Sequence, residues 1–201
     1  ALHWLREQFP AVPFVGMEPA VKPAVEHTHT GQVGVIATAA TFQGELFASL
    51  LDRYAGRVAI HTQICPELVP LVEAGELNSP RTRRAVAHYL APLLAAEIDQ
   101  LVLGCTHYPF LRPLIADVAG PGVAVIDPAP AVARQTGRVL AQRGWLAEPA
   151  SPSAAGAQPV HRFYTTAAPS CFEAALHDLL GLKANVRQAV WQPDHALRPV
   201  R

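Results

Sequence analysis

LVLGCTHYPFLRP, running from Leu101 to Pro113, is the stretch on which the reading of the fold turns. It begins as the apolar run that a buried strand requires, and Gly104 ends that run. Cys105, Thr106 and His107 follow directly. The chain then turns through Tyr108 and Pro109 into a helical pattern. A strand that feeds a helix in this way sets a thiol at the mouth of a buried strand, one residue from a histidine.

The same alternation extends along the chain in both directions. PFVGM (Pro13 to Met17) is expected as a short strand after an opening amphipathic helix, ALHWLREQFP. QVGVIAT (Gln32 to Thr38) is a β-branched strand. TFQGELFASLLDRY (Thr41 to Tyr54) is a helix with Phe42, Leu46, Ser49 and Leu50 on one face. RVAIHTQI (Arg57 to Ile64) is a further strand. SPRTRRAVAHYLAPLLAAE opens with Ser79 at the N-cap and Pro80 at the first helical position, and Pro92 is expected to kink or break that helix. DQLVLGC and GVAVIDP are strands, YPFLRPLIADVA is helical, and PAVARQTGRVLAQRG ends at Gly144, a suitable C′ residue. EPASPSAAGAQP (Glu148 to Pro159) is a connector. VHRFYTT, PSCFEAALHDLLG and ANVRQAVW then read as strand, helix and strand. Short apolar strands alternating with helices imply parallel sheets with both faces covered, so the class is α/β.

The chain has 201 residues, half of them hydrophobic, and formal net charge zero, which provides a sizeable core. Balanced charge argues against a nucleic-acid or membrane-surface partner, which would need a basic stripe. No apolar run approaches the roughly 20 residues of a membrane span. Cys65, Cys105 and Cys171 are widely spaced, and an odd count without a Cys-x-x-Cys pair suits neither a disulfide framework nor a zinc ribbon. No metal is therefore expected, and a reducing cytoplasm fits best.

In open α/β sheets ligands sit beyond the carboxyl ends of the strands. The polar groups there are Thr38 and Thr41, Cys65, the Cys105-Thr106-His107 triplet, and Asp127. Cys105 leads, because a helix N-terminus after it would favour its thiolate. Thr106 offers a hydroxyl and an N–H suited to a carboxylate. His107 exchanges protons near neutrality or orients a neighbour. Against this, a cysteine ending a buried strand more often serves as a small apolar residue. Glu73 follows an apolar Leu-Val-Pro-Leu-Val stretch and is a candidate carboxylate for a histidine, although a solvated helix-end glutamate is the readier account. Cys65 and Cys171 read as packing residues, Cys171 facing the core. His27 and His29 read as a polar loop in preference to a metal site.

At GCTHYP the chain resembles the glutamate racemases of bacterial cell-wall synthesis, within the aspartate/glutamate racemase superfamily. VGMEPAVKPA (Val15 to Ala24), VGVIATAATFQ, CPELVPLVEAG and RFYTT resemble further landmarks of that family, in its order. The resemblance implies two similar α/β domains and an isomerase that inverts the α-carbon of L- and D-glutamate without any cofactor, supplying peptidoglycan synthesis and so cell shape. Two thiols would act from opposite faces of the substrate. Cys105 matches one. Thr106 and His107 match substrate-binding residues, His107 also assisting the thiol, with Thr41 in the threonine-rich turn beside them. Glu73 matches the carboxylate that supports the histidine.

The family's earlier motifs, Asp-Ser-Gly and the Cys-Asn-Thr that bears the first thiol, are not in this sequence, and the opening helix looks already under way. The expectation is an N-terminally incomplete chain, a fragment inactive alone. Residues 22–127 would form a complete second domain, and residues 1–21 and 128–201 remnants of the first, with sheet edges and apolar faces uncovered. A homodimer is compatible with this reading. The alternatives are an aspartate or hydantoin racemase relative, or a non-catalytic binding remnant.

Overall fold

The computed structural model describes residues 2–17, 19–54, 56–147 and 161–200, the side chains of residues 45 and 46 excepted. They fall into two compact units, Ala1–Val72 with Glu76–Ala147, and Glu73–Gly75 with Glu148–Arg201. In chain order the first unit holds α1 (Leu2–Gln8), α2 (Val21–His27), β1 (Gln32–Ala37), α3 (Ala39–Phe42), α4 (Glu45–Tyr54) and β2 (Ala59–Ile64). These are followed by α5 (Leu68–Glu73), α6 (Pro80–Ala95), β3 (Gln100–Leu103), a 3₁₀ turn (Tyr108–Leu111), α7 (Arg112–Ala119), β4 (Ala124–Ile126) and α8 (Ala129–Gln142). The last residue of α5 already belongs to the second unit.

The four strands form one parallel sheet in the order β2-β1-β3-β4. The α/β class expected from the alternation is therefore the one observed. β1 lies inside the sheet, as its unbroken apolar run requires. Val33 and Val35 point to one face, where Val21, Ala24 and Val25 of α2 and Phe47, Leu50 and Tyr54 of α4 bury them. Each such side chain contributes roughly 1.5–3 kcal/mol when fully buried. Gly34 points to the other face. A Cβ there would stand 2.7 Å from Ile98 Cδ1 and 3.4 Å from Leu93 Cδ1, so the missing side chain lets α6 lie close to the strand.

Three local expectations are corrected. PFVGM is not a strand: among the described residues no strand lies beside it to pair with, and it folds back on the α1 segment instead. Arg6 Nη2 donates to the Phe14 carbonyl at 2.9 Å, and the rings of Phe9 and Phe14 lie 6.5 Å apart. The expected helix over Thr41 to Tyr54 is two helices, broken at Gln43 and Gly44. The restart shifts the phase, so Phe47, Leu50 and Tyr54 are buried and Ser49 is exposed. Pro92 does not break α6, which runs on to Ala95. The carbonyl that Pro92 strands belongs to His88, and both residues are exposed, so water can satisfy it. The start of α6 is as expected, with Ser79 Oγ accepting the Thr82 N–H at 3.1 Å.

The second unit has β5 (Phe163–Thr165), α9 (Pro169–Leu180), β6 (Val186–Trp191) and β7 (Leu197–Pro199). β6 pairs in parallel with β5 and antiparallel with β7. Gly181 closes α9 in the left-handed conformation, φ 64°, and its N–H reaches the His177 carbonyl at 2.9 Å. Cys171 is exposed and does not face a core. The packed stripe of α9 centres on Leu176, and Cys171 stands in the first turn, before that stripe is covered. The connector at 148–159 lies outside the described residues. Among the described residues no helix is long and apolar enough to cross a membrane.

Asp99 ties the turn before β3 to the turn before β1. It accepts the Thr28 hydroxyl at 2.5 Å and the N–H groups of His29 and Thr30 at 2.6 and 3.3 Å. Partial burial works against its ionisation, yet these donors prevail and hold the carboxyl below its ordinary value. The depressed native value means the folded state binds fewer protons. The contribution to stability is thus complete above the unfolded carboxylate value of about 3.9 and is lost as pH falls through the native value. Asp99→Asn should cost roughly 1–2 kcal/mol at pH 7 in urea melts, with the gap to the parent chain closing below about pH 4. A penalty independent of pH would contradict this account.

Candidate active site

Strand order fixes where a site can form. β2 lies on one side of β1 and β3 on the other, so the chain reverses its direction of winding between β1 and β3. A crevice opens beyond the carboxyl ends of such a pair. A cavity of about 430 Å³ lies there, lined among others by Thr38 and Thr41 after β1, Gly104, Cys105, Thr106 and His107 after β3, and Val69 of α5. Its size suits a small polar metabolite.

Gly104 makes the approach of the two strand ends tight. Its N–H donates to the Ile36 carbonyl at 2.8 Å. A Cβ on it would stand 2.9 Å from Ala37 Cβ and 3.0 Å from the Ile36 oxygen. The Thr41 hydroxyl donates to the Gly104 carbonyl at 3.4 Å and pairs with the Thr38 hydroxyl at 3.1 Å. The role of Gly104 escaped the sequence reading, although a glycine immediately before the thiol was its visible signal.

The thiol and imidazole converge at this point. Cys105 Sγ lies 3.8 Å from His107 Nδ1, within reach of a sulfur hydrogen bond. Both side chains are half-buried and Thr106 is exposed. The helix N-terminus expected to favour the Cys105 thiolate is not adjacent to it: a 3₁₀ turn intervenes and α7 begins only at Arg112. The paired Pro109 and Pro113 explain this, since neither ring nitrogen can supply a backbone donor to a continuous helix across both.

The structure thus brings together Cys105, Thr106, His107, Thr41 and Thr38. It does not bring Cys65 or Asp127 to the cavity wall. Asp127 instead accepts the Ala129 N–H at 2.8 Å, at the start of α8. Cys65 is fully buried. Desolvation first, and the nearby Cys105 second, push its thiol up to about 12, so it is neutral over the physiological range. Its expected packing role stands. Glu73 ends α5, falls in the second unit and does not line the cavity. His29 lies in the loop before β1, but His27 does not: it is the last residue of α2, its Nδ1 2.7 Å from the Pro23 carbonyl. No group of metal-ligating side chains occurs among the described residues.

An open parallel α/β sheet with a thiol–imidazole pair at its switch point is the architecture in hand, and the sequence assigns its family. Residues 1–136 match the model of the Asp/Glu/Hydantoin racemases, and the chain belongs to that family. A glutamate racemase of Herpetosiphon aurantiacus is 62% identical over 141 residues, 70% of this chain and 55% of that protein. The crystal structure of the Bacillus anthracis glutamate racemase isoform RacE1 is similar with a TM-score of 0.77 at 32% identity, covering 92% of this chain and 67% of that one. The Escherichia coli glutamate racemase, solved with L-glutamate and the activator UDP-MurNAc-Ala, gives 0.74 at 30% identity, over 93% and 68% of the two chains. The chain thus spans little more than half the length of the first of these relatives.

The three cysteines have different surroundings, which a thiol reagent should read. Iodoacetamide at pH 8 should modify Cys105 and Cys171 in the folded chain and leave Cys65 unmodified until denaturant is added. Peptide mapping that finds Cys65 alkylated alongside Cys105 under native conditions would overturn its placement. Gly104→Ala should lower stability by about 1–3 kcal/mol, because the new methyl meets backbone and a β-carbon that cannot swing away. An unchanged denaturation midpoint would show the strand ends to be looser than described.

Proposed function

We propose that this chain carries one half of a glutamate racemase site, with Cys105 serving one face of the substrate. The observation that supports it best is the Cys105–His107 pair, sulfur to Nδ1 at 3.8 Å, on the wall of a cavity also bordered by Thr38, Thr41 and Thr106. Family membership supplies the reaction class, and the E. coli relative, solved with L-glutamate, supports glutamate as the substrate.

In this reading Thr106 and Thr41 hold the substrate's polar ends, and the α-carbon faces Cys105. The thiolate takes the α-proton: an S–H bond forms, the Cα–H bond breaks, and the electron pair is delocalised into the α-carboxylate. A second thiol protonates the carbanion from the opposite face, which inverts the centre. One base alone would mostly return the proton to the face it left. No cofactor takes part, so positioning and a partly desolvated thiolate supply most of the acceleration. His107 takes up the Cys105 proton as the thiolate forms. Glu73 is assigned the support of His107, fixing which ring nitrogen carries the proton. Residues 22–127 form one complete lobe in this reading, and residues 1–21 and 128–201 belong to another. The product feeds peptidoglycan synthesis in the cytoplasm.

Cys65 is buried and held neutral, and Cys171 is exposed on the second unit, so neither is a candidate for the opposite face. The 201 residues alone should therefore not racemise glutamate. Loss of ellipticity from L-glutamate above the buffer rate, abolished by Cys105→Ser, would refute this. The same assay with L-aspartate tests for an aspartate-specific relative.

In the complete enzyme Cys105→Ser should cut turnover by roughly 10³-fold or more while leaving substrate binding nearly intact. Near-normal turnover in both directions would sink the assignment. Glu73→Gln should shift the histidine-dependent limb of the pH–rate curve to lower pH, and in a His107→Asn background it should cost little more than His107→Asn alone. Additive penalties would remove Glu73 from the site.

A further inference from the structure

Tyr108 is the largest of the fully buried side chains among the described residues. Packing alone would be served as well by phenylalanine, and a buried hydroxyl is costly unless it is bonded. This hydroxyl donates to one acceptor, the Cys65 carbonyl, at 3.1 Å. That bond runs from the turn after β3 to the turn after β2, across the end of β1. The other two sides of the same ring are backbone bonds. Cys65 N–H reaches the Ala37 carbonyl at 3.1 Å, and Gly104 N–H reaches the Ile36 carbonyl at 2.8 Å. Tyr108 also closes the catalytic turn itself, its N–H donating to the Cys105 carbonyl at 3.2 Å.

We propose that Tyr108 is a positioning residue whose hydroxyl, anchored on the Cys65 carbonyl, holds the Cys105–His107 turn in register with the ends of β1 and β2. The proposal rests on Cys105 being the reacting thiol. Without the anchor the turn loses its side-chain hydrogen bond to the end of β2. Burial, the larger cause, and the nearby Cys65 and Cys105 thiols keep the phenol protonated, so it is a donor at every working pH. Among the described residues, the titratable groups that interact with the Cys105 sulfur are the His107 imidazole, the Cys65 thiol and this phenol, the last two neutral. Thr38 and Thr41, from the turn after β1, do not titrate.

The test is the pH profile of Cys105 alkylation by iodoacetamide in the 201-residue chain, resolved by peptide mapping. Tyr108→Phe should slow Cys105 by about 3–10-fold at pH 7 and move its profile to higher pH by roughly half a unit to one unit. Tyr89→Phe is the control. Tyr89 is also buried and lies near Tyr108 and Cys65, but its hydroxyl donates to Glu67 at 2.9 Å and not to the Cys65 carbonyl. It should lower the melting temperature and leave the Cys105 profile in place. An unchanged profile in Tyr108→Phe overturns the proposal. Should that variant not fold, hydrogen exchange on the parent chain decides. The Tyr108 and Cys65 amides should exchange through one shared opening, and a freely exchanging Tyr108 amide beside a protected Cys65 amide overturns the proposal. The readout needs no racemase activity, so a shifted profile with no racemisation by the complete enzyme would fault the functional reading alone.

Discussion

The hydrogen bond from the Gly104 N–H to the Ile36 carbonyl sets how closely β3 can approach β1 at their carboxyl ends. It exists because Gly104 has no side chain, since a methyl group there would press on Ala37 and on the same carbonyl oxygen. Everything that faces the cavity is referenced to that contact. Cys105 is the next residue, His107 follows within the same turn, and Thr41 reaches the Gly104 carbonyl from the β1 side. The topology adds the opening: parallel strands that wind away from each other leave space where their connections part. A tight backbone contact and a wide side-chain crevice occupy the same place.

The environment then separates three thiols of identical chemistry. Cys65 and Cys105 both follow strands of one sheet. One is sealed beneath the turn and held neutral, and the other stands half-buried at the cavity beside an imidazole. Cys171 is exposed on the second unit. Their fates follow from burial and neighbours, because a thiol becomes a nucleophile or base only where its anion is tolerated.

Much of this was legible in the sequence. The strands around Val33, Ile60, Val102 and Val125 announced themselves by short apolar runs, and Ser79-Pro80 fixed the start of α6. The convergence of Thr41, Cys105, Thr106 and His107 followed once the sheet was taken as parallel. What failed depended on contacts that no local pattern encodes. Pro13 to Met17 has strand composition, but a strand requires a neighbour, and here it folds on α1. Pro92 was read by its usual effect, yet the carbonyl it strands is on the wet side of the helix. Ser49 was assigned inward from a continuous helical phase that Gly44 resets. β7 was missed because Leu197 to Pro199 is exposed throughout and carries no alternation. No local signature specifies the roles of Gly104 and Tyr108, since a glycine's use lies in the atoms it lets approach and a buried phenol's use lies in its partner.

The register of β1 also imposes an order on synthesis. Val33 lies opposite Ile60 on one side and opposite Gln100 on the other. A chain made from its amino end gains β1 and then β2, and must hold the other edge of β1 unpaired until β3 and the turn ending at Leu111 have left the ribosome. The closing loop is long, and its entropy has to be overcome before the non-local contacts form. Nascent chains stalled between Ile64 and Leu111 therefore expose one apolar strand edge. In that interval the exposed edge can pair with another chain, which is the hazard of a late-closing parallel sheet.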